Sequence, residues 1–437
     1  MNKINEMRCA VCVVIVEGNE KQMTPETGHT VYFVRTIGHY AMKKRDWKPH
    51  FALEEEFKDS VPLSGGPLKG ITVVDICRAV AGTNCTRLLA DLGARVIKCE
   101  NVGSDSIRLD RPFFAQMNCG KESLKIDFKN PNDMTLFHRI LETADILVEN
   151  FRPGVTKKLG ISYQDLHERY PRLIYGSVSG YGQSGPDSLK PAMDVIIQAT
   201  TGLMAVSGFE DKPPTGLGAV PADISSGIAA ALGVVTALYE RDRSGVGRHV
   251  DVAMADVCLT MLPNCIPRYA RTGDPVAIQK QGAAGHSVAP FDVYKCKDDY
   301  IALIGYQQHH WKKCNELLGT EHLTNDLMYK NNKARIRNVN SLKIEWEKAL
   351  AKRNASDWIN LFESNGIACS PIKSIDEVLQ SKQFRHRKMF TTIVDEDGVE
   401  SLGFGSPIKI SGYDDSQRRK GINRLDGDRD NILRSLL

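Results

Sequence analysis

Residues 71–99, ITVVDICRAVAGTNCTRLLADLGARVIKC, decide the fold. Residues 71–77 are short, apolar and rich in β-branched side chains, as a buried strand is; residues 86–92 return apolar side chains at helical spacing; residues 95–99 are strand-like again. The alternation continues outward. A helix is expected over 134–144, a third strand over DILVEN at 145–150, and RLIYGSVSG at 172–180 follows another helical stretch. Strands alternating with helices predict an α/β fold built on a parallel sheet.

In such sheets ligands sit beyond the carboxyl ends of the strands, so residues 79–82, 150–154 and 179–186 should form the mouth of a site. Residues 224–240 are rich in Ala and Gly and apolar nearly all round, which predicts a buried helix, and Asp223 stands just before it. Beyond about residue 280 come shorter strands such as YIALIG at 300–305 and amphipathic helices within 340–365, the pattern of a smaller α+β domain. The expected division is an extension over 1–65, ending in Pro62, Ser64, Gly65, Gly66 and Pro67, a large domain over 66–280, a small one over 281–385, and a segment over 386–437 returning to the first.

Composition narrows the function. The 437 residues are 42% hydrophobic and 25% charged with a net charge of +4, and the basic residues are scattered, so no nucleic-acid partner is expected. The longest uninterrupted apolar run, near 10–16, is too short for a membrane span. No secretory leader pattern opens the chain, which leaves cytoplasm or mitochondrion. Eleven cysteines without framework spacing suit free thiols, and the Cys9–Cys12 pair lacks partners for a metal, so no metal is expected.

Among motifs, Gly180, Gly182 and Gly185 satisfy GxGxxG after a strand, yet Pro186 and a polar stretch follow where a dinucleotide fold needs a helix. Walker, HExxH and GxSxG patterns are absent. Asp223, within AVPADISSG at 219–227, is the notable acid. It can cap the helix, or, held ionised by the helix N-terminus, serve as a nucleophile; residue chemistry alone does not choose.

The ordered run PLKGITVVDICRAVAG, LADLGARVIKCE, NCGKESLKIDFK, VENFRPGVTKKLG, YPRLIYGSVSGYGQSGP, AVPADISSG and RDRSGVGRHVD resembles the class III CoA-transferases over residues 67 to about 414, with features closer to the glutarate-type members than to formyl-CoA transferase. The resemblance implies a Rossmann-like large domain plus a small domain in an interlocked homodimer. It also implies transfer of CoA from an acyl-CoA to a small dicarboxylic acid, with CoA as substrate and no tightly bound cofactor. By position it makes Asp223 the nucleophile and Ala81, Ile126, Asp127, Phe128, Lys129, Asn150, Phe151, Lys158, Met193 and Asp194 the CoA-binding residues. Asn101 stands where relatives carry a basic phosphate contact, which Lys121, Lys129 or Lys157 would replace. A lid is expected at Gly282, Ala283, Ala284, Gly285 and His286. Related racemases carry a His at the place of Met193; a methionine cannot move a proton, so racemisation ranks second and a silent CoA-binding relative third.

Overall fold

The computed structural model describes residues 65–437 except 104 and 417; the extension through residue 64, with Cys9 and Cys12, lies outside the described residues. The first sheet contains β1 (Thr72–Asp75), β2 (Arg95–Glu100), β3 (Lys121–Lys125), β4 (Ile146–Glu149), β5 (Ile174–Ser179) and β6 (His249–Ala253). Every pairing is parallel, in the order β3-β2-β1-β4-β5-β6. Val73, Val96, Ile146 and Val148 face a core shared with the helices Ala81–Asp91 and Pro221–Ser244, while Val74, Ile97, Leu124 and Leu147 face one shared with the helix Pro131–Leu141 and with Ile432. With both faces covered, the strands read as continuous apolar runs. Strand order reverses between β1 and β4, and in open parallel sheets ligands sit in the crevice beyond the carboxyl ends of such strands.

Two helices differ from the sequence reading. Helical spacing is visible only from Thr86, yet the helix starts at Ala81, because its first turn consists of small and polar residues that carry no periodic signal. Those residues are buried by the helix Pro221–Ser244, which crosses so closely that a Cβ on Gly227 would lie 2.6 Å from the Ala81 carbonyl oxygen. That second helix is also not buried all round. Ala222, Ser226, Gly227, Ala230, Val234 and Ala237 form its inner stripe, whereas Ile228, Leu232 and Tyr239 are 51, 69 and 61% exposed. Its length and composition would suit a membrane span, but the inner stripe packs into the sheet's own core.

Smaller sheets follow. β7 (Phe291–Lys295), β8 (Tyr300–Ile304) and β9 (Cys369–Pro371) pair antiparallel beside the helices Gln308–Leu318, Val339–Leu350 and Ala355–Ser364, around stacked Trp311 and Trp346. β10 (Phe390–Val394), β11 (Glu400–Phe404) and β12 (Arg418–Lys420) form the third. This end of the chain is fastened to the first sheet: Asp428 Oδ2 accepts the Ser123 amide at 2.8 Å, Asp426 Oδ1 accepts the Lys125 amide at 2.9 Å, and Ile432 enters the core.

Candidate active site

Asp223 sits in the first turn of the helix Pro221–Ser244, not before it. Pro221 opens the helix, its missing N–H costing nothing at the first position. This corrects the capping role open to Asp223 from the sequence. The cap comes from another element: Asp194 Oδ1 accepts the amides of Ala222 at 2.8 Å and Asp223 at 3.2 Å. Asp194 is in turn held by Gln198, whose Nε2 donates to Oδ2 at 2.5 Å and whose Oε1 accepts the Leu217 amide at 2.9 Å. With the donors taken by Asp194, the Asp223 carboxylate is spared that duty. Burial and then the Asp194 charge push its pKa up to about 6, so at neutral pH it remains mostly ionised but weakly solvated.

At the crevice, three residues are in direct contact. Asn150 grips the loop after β1 with both ends of its amide: Oδ1 accepts the Arg78 N–H and Nδ2 donates to the Arg78 carbonyl, both at 2.8 Å. The Arg78 guanidinium lies 4.9 Å from the centroid of the Phe151 ring. Arg78 was not among the sequence candidates; its signal was a cation directly after the strand at the sheet's reversal point. The loop is also fixed from below. Asp75 Oδ1 accepts the Cys77 amide at 2.8 Å, Lys98 Nζ donates to the Cys77 carbonyl at 2.8 Å, and Asp105 Oδ1 accepts the Ala79 amide at 3.2 Å. These bonds offset the cost of Ala79 at φ 54°, a left-handed value unusual for alanine.

Lys121 belongs to that buried support, which corrects its reading as a phosphate contact. Its ammonium bonds Asp75 Oδ2 at 2.8 Å, Thr83 O at 3.1 Å, Thr86 Oγ1 at 2.8 Å and Asn118 Oδ1 at 3.0 Å, and nothing of it faces solvent. Burial would raise Asp75, but the Lys121 and Lys98 charges hold it down at about 2. Glu100 is buried too and paired with Arg108 at 2.6 Å.

The remaining candidates spread around the crevice. Ala81 is buried at the head of its helix. Ile126, Asp127, Phe128 and Lys129 follow β3, two strands from β1, and Phe128 and Phe151 pack against the same core cluster. There Ile126 is buried, Asp127 accepts the Lys129 amide at 3.0 Å, and Phe128 packs edge-on against Phe137. Lys129, Lys157 and Lys158 are exposed, the last two closing the one-turn helix Val155–Lys158. Met193, 74% exposed, precedes Asp194. The residues expected to form the lid make these bonds: the Gly282 amide donates to Gly208 O at 2.8 Å, the Gly285 amide to Phe291 O at 2.9 Å, and the His286 ring meets Gln279 O at 2.9 Å. A Cβ on Gly282 would lie 2.5 Å from the Phe209 ring, and its φ of 62° also demands glycine.

Residues 68–421 match the model of CoA-transferase family III. An acetyl-CoA:oxalate CoA-transferase of Acetobacter aceti is 36% identical over 83% of this chain and 93% of its own length. A succinate–glutarate CoA-transferase of Agrobacterium fabrum is 32% identical, over 80% and 91%. The crystal structure of a CaiB/BaiF family protein from Brucella suis superposes with a TM-score of 0.74 at 29% identity, covering 85% of this chain and all of that one. The chain belongs to CoA-transferase family III.

Proposed function

We propose that this enzyme moves CoA from an acyl-CoA to a dicarboxylic acid through a covalent intermediate on Asp223. The observation that carries the reading is the division of labour between two carboxylates: Asp194 takes the helix amides and leaves Asp223 a free, half-buried carboxylate. Asp223 attacks the thioester carbonyl, CoA thiolate leaves, and a mixed anhydride remains. The thiolate attacks the aspartyl carbonyl, giving an aspartyl thioester and the free donor acid. The acceptor carboxylate attacks that thioester, releasing thiolate and forming a second anhydride. Thiolate attack on its acceptor carbonyl yields the new acyl-CoA and regenerates Asp223.

CoA is held by Ala81, the turn at 126–129, Asn150 and Phe151, with Arg78 added to the set and phosphates met by Lys129, Lys157 and Lys158. Met193 and Asp194 border the acyl group. Residues 282–286 cover the intermediates, which water would otherwise hydrolyse. Oxalate, succinate and glutarate in the relatives' names support a dicarboxylic acceptor. The outward stripe of Ile228, Leu232 and Tyr239 supports a homodimer, since an apolar row on so central a helix fits a protein partner. The test is mass spectrometry of CoA exchange between acyl-CoAs and dicarboxylates, with hydroxylamine trapping of the intermediate. Modification of Asp223 alone is expected; exchange without any trapped aspartyl adduct would sink the covalent route.

A further inference from the structure

Three adjacent strands bring together Glu149, Ser177 and His249, a row of polar side chains that the transfer chemistry does not use. Glu149 ends β4 and is Cα partner to Ser177 on β5, which is partner to Asp251 on β6. The Phe151 amide donates to Glu149 Oε2 at 2.7 Å. Ser177 stands beside the Glu149 carboxylate as its Cα partner on the next strand, and its Oγ meets His249 Nε2 at 2.9 Å. Glu149 and Ser177 are buried, while His249 is only half-buried, stacked on Tyr163 at 4.9 Å. The row thus runs from the Asn150–Phe151 turn to a ring near solvent.

We infer that Glu149 is a positioning residue for CoA, its ionised carboxylate holding the Phe151 amide and so the turn that clamps Arg78, and that Ser177 and His249 carry its proton to and from solvent. The inference rests on the reading that this turn grips CoA. With Glu149 ionised, Ser177 donates to the carboxylate and His249 donates its Nε2 proton to Ser177. Uptake of a solvent proton at His249 Nδ1 lets the Nε2 proton pass to Ser177 Oγ and the Ser177 proton pass to Glu149. One proton has entered, Glu149 is neutral, and His249 has changed tautomer. The Phe151 amide then meets a carboxylic acid instead of a charge, a weaker acceptor.

Around Glu149 stand Tyr175 and Ser177 from β5, Asp251 and His249 from β6, and the Phe151 amide of its own turn. Burial pushes Glu149 up, the Ser177 and Phe151 hydrogen bonds pull it back, and the Asp251 charge adds to the rise, leaving it at about 7. Burial also lowers His249, with Asp251 opposing.

Calorimetric binding of CoA to the full chain, wild type against Glu149→Gln and Ser177→Ala, between about pH 5.5 and 8.5 tests this. The secondary phosphate of CoA titrates near pH 6 but does so equally for every variant, so ratios are read. Glu149→Gln should match wild type at the acid end and bind about five- to tenfold more weakly at the alkaline end, as loss of a charge-assisted bond implies. Ser177→Ala should move the wild-type transition to higher pH, because the hydroxyl stabilises the ionised carboxylate. A Glu149→Gln ratio that is flat with pH, or an unmoved transition in Ser177→Ala, overturns the inference. The infrared band of a protonated carboxyl, followed in the free protein, should titrate in wild type and move upward in pH in Ser177→Ala, which decides the matter if Glu149→Gln does not fold. Wild type that shows this band but fails to bind CoA would overturn the assignment of the turn instead.

Discussion

The two carboxylates at the helix start set the behaviour expected of single residues. Asp223→Ala should lower transfer by about three powers of ten or more, since no other nucleophile stands in its place; residual turnover above about a tenth of wild type would refute its role. Wild-type kcat should fall about tenfold per pH unit below about pH 6, where Asp223 becomes protonated. Stability carries the opposite sign. Because the folded value of about 6 exceeds the ordinary 3.8, the fold disfavours the ionised form; this cost is absent below 3.8 and complete above about 6. Asp223→Asn should therefore be more stable than wild type by about 1–2 kcal/mol at pH 8, after a discount for partial solvent access, with the difference gone near pH 4. Denaturant melts at both pH values check this, and an equal difference at each would contradict it. Lys158→Ala should raise the Michaelis constant for acyl-CoA about five- to thirtyfold with kcat little changed, as for a charge meeting phosphate; calorimetry showing wild-type affinity would remove Lys158 from the site. That Asp223 stands at the start of a helix was legible in the sequence, but that Asp194 caps that helix was not, because the bond joins residues 28 apart. Lys121 misled for the same reason: exposure is not written in a lysine, and its partner Asp75 lies 46 residues away.

At the scale of elements, the strands were legible because residues such as Val73, Val74, Ile146 and Leu147 are apolar on both sheet faces. The helix Ala81–Asp91 was legible only in its second half, since contact with Gly227 demands small residues in the first. That contact yields a prediction against propensity. Gly to Ala inside a helix ordinarily stabilises by about 0.5–1 kcal/mol. Gly227→Ala should instead destabilise by about 1–3 kcal/mol, because the added carbon meets a backbone oxygen that cannot swing aside. A raised melting temperature would show that the two helices separate more easily than their packing implies.

At the scale of the whole molecule, the outward face of the helix Pro221–Ser244 was misread as buried, because composition gives apolarity without saying whose surface covers it. If the proposed homodimer uses this face, Leu232→Asp should leave the fold intact, as the side chain is 69% exposed, and should make the protein elute later than wild type in sizing chromatography. An unchanged elution volume would remove this helix as a dimer face. The fastening of Asp426 and Asp428 to β3 has a consequence in the order of synthesis. Their partners, Lys125 and Ser123, leave the ribosome 301 and 305 residues earlier. Through most of translation the outermost strand of the first sheet is thus a bare edge, open to pairing with a neighbouring nascent chain. A chain ended after residue 421 should keep all twelve strands of the described residues yet accumulate as insoluble protein, and the nascent enzyme should need a chaperone until those two aspartates emerge.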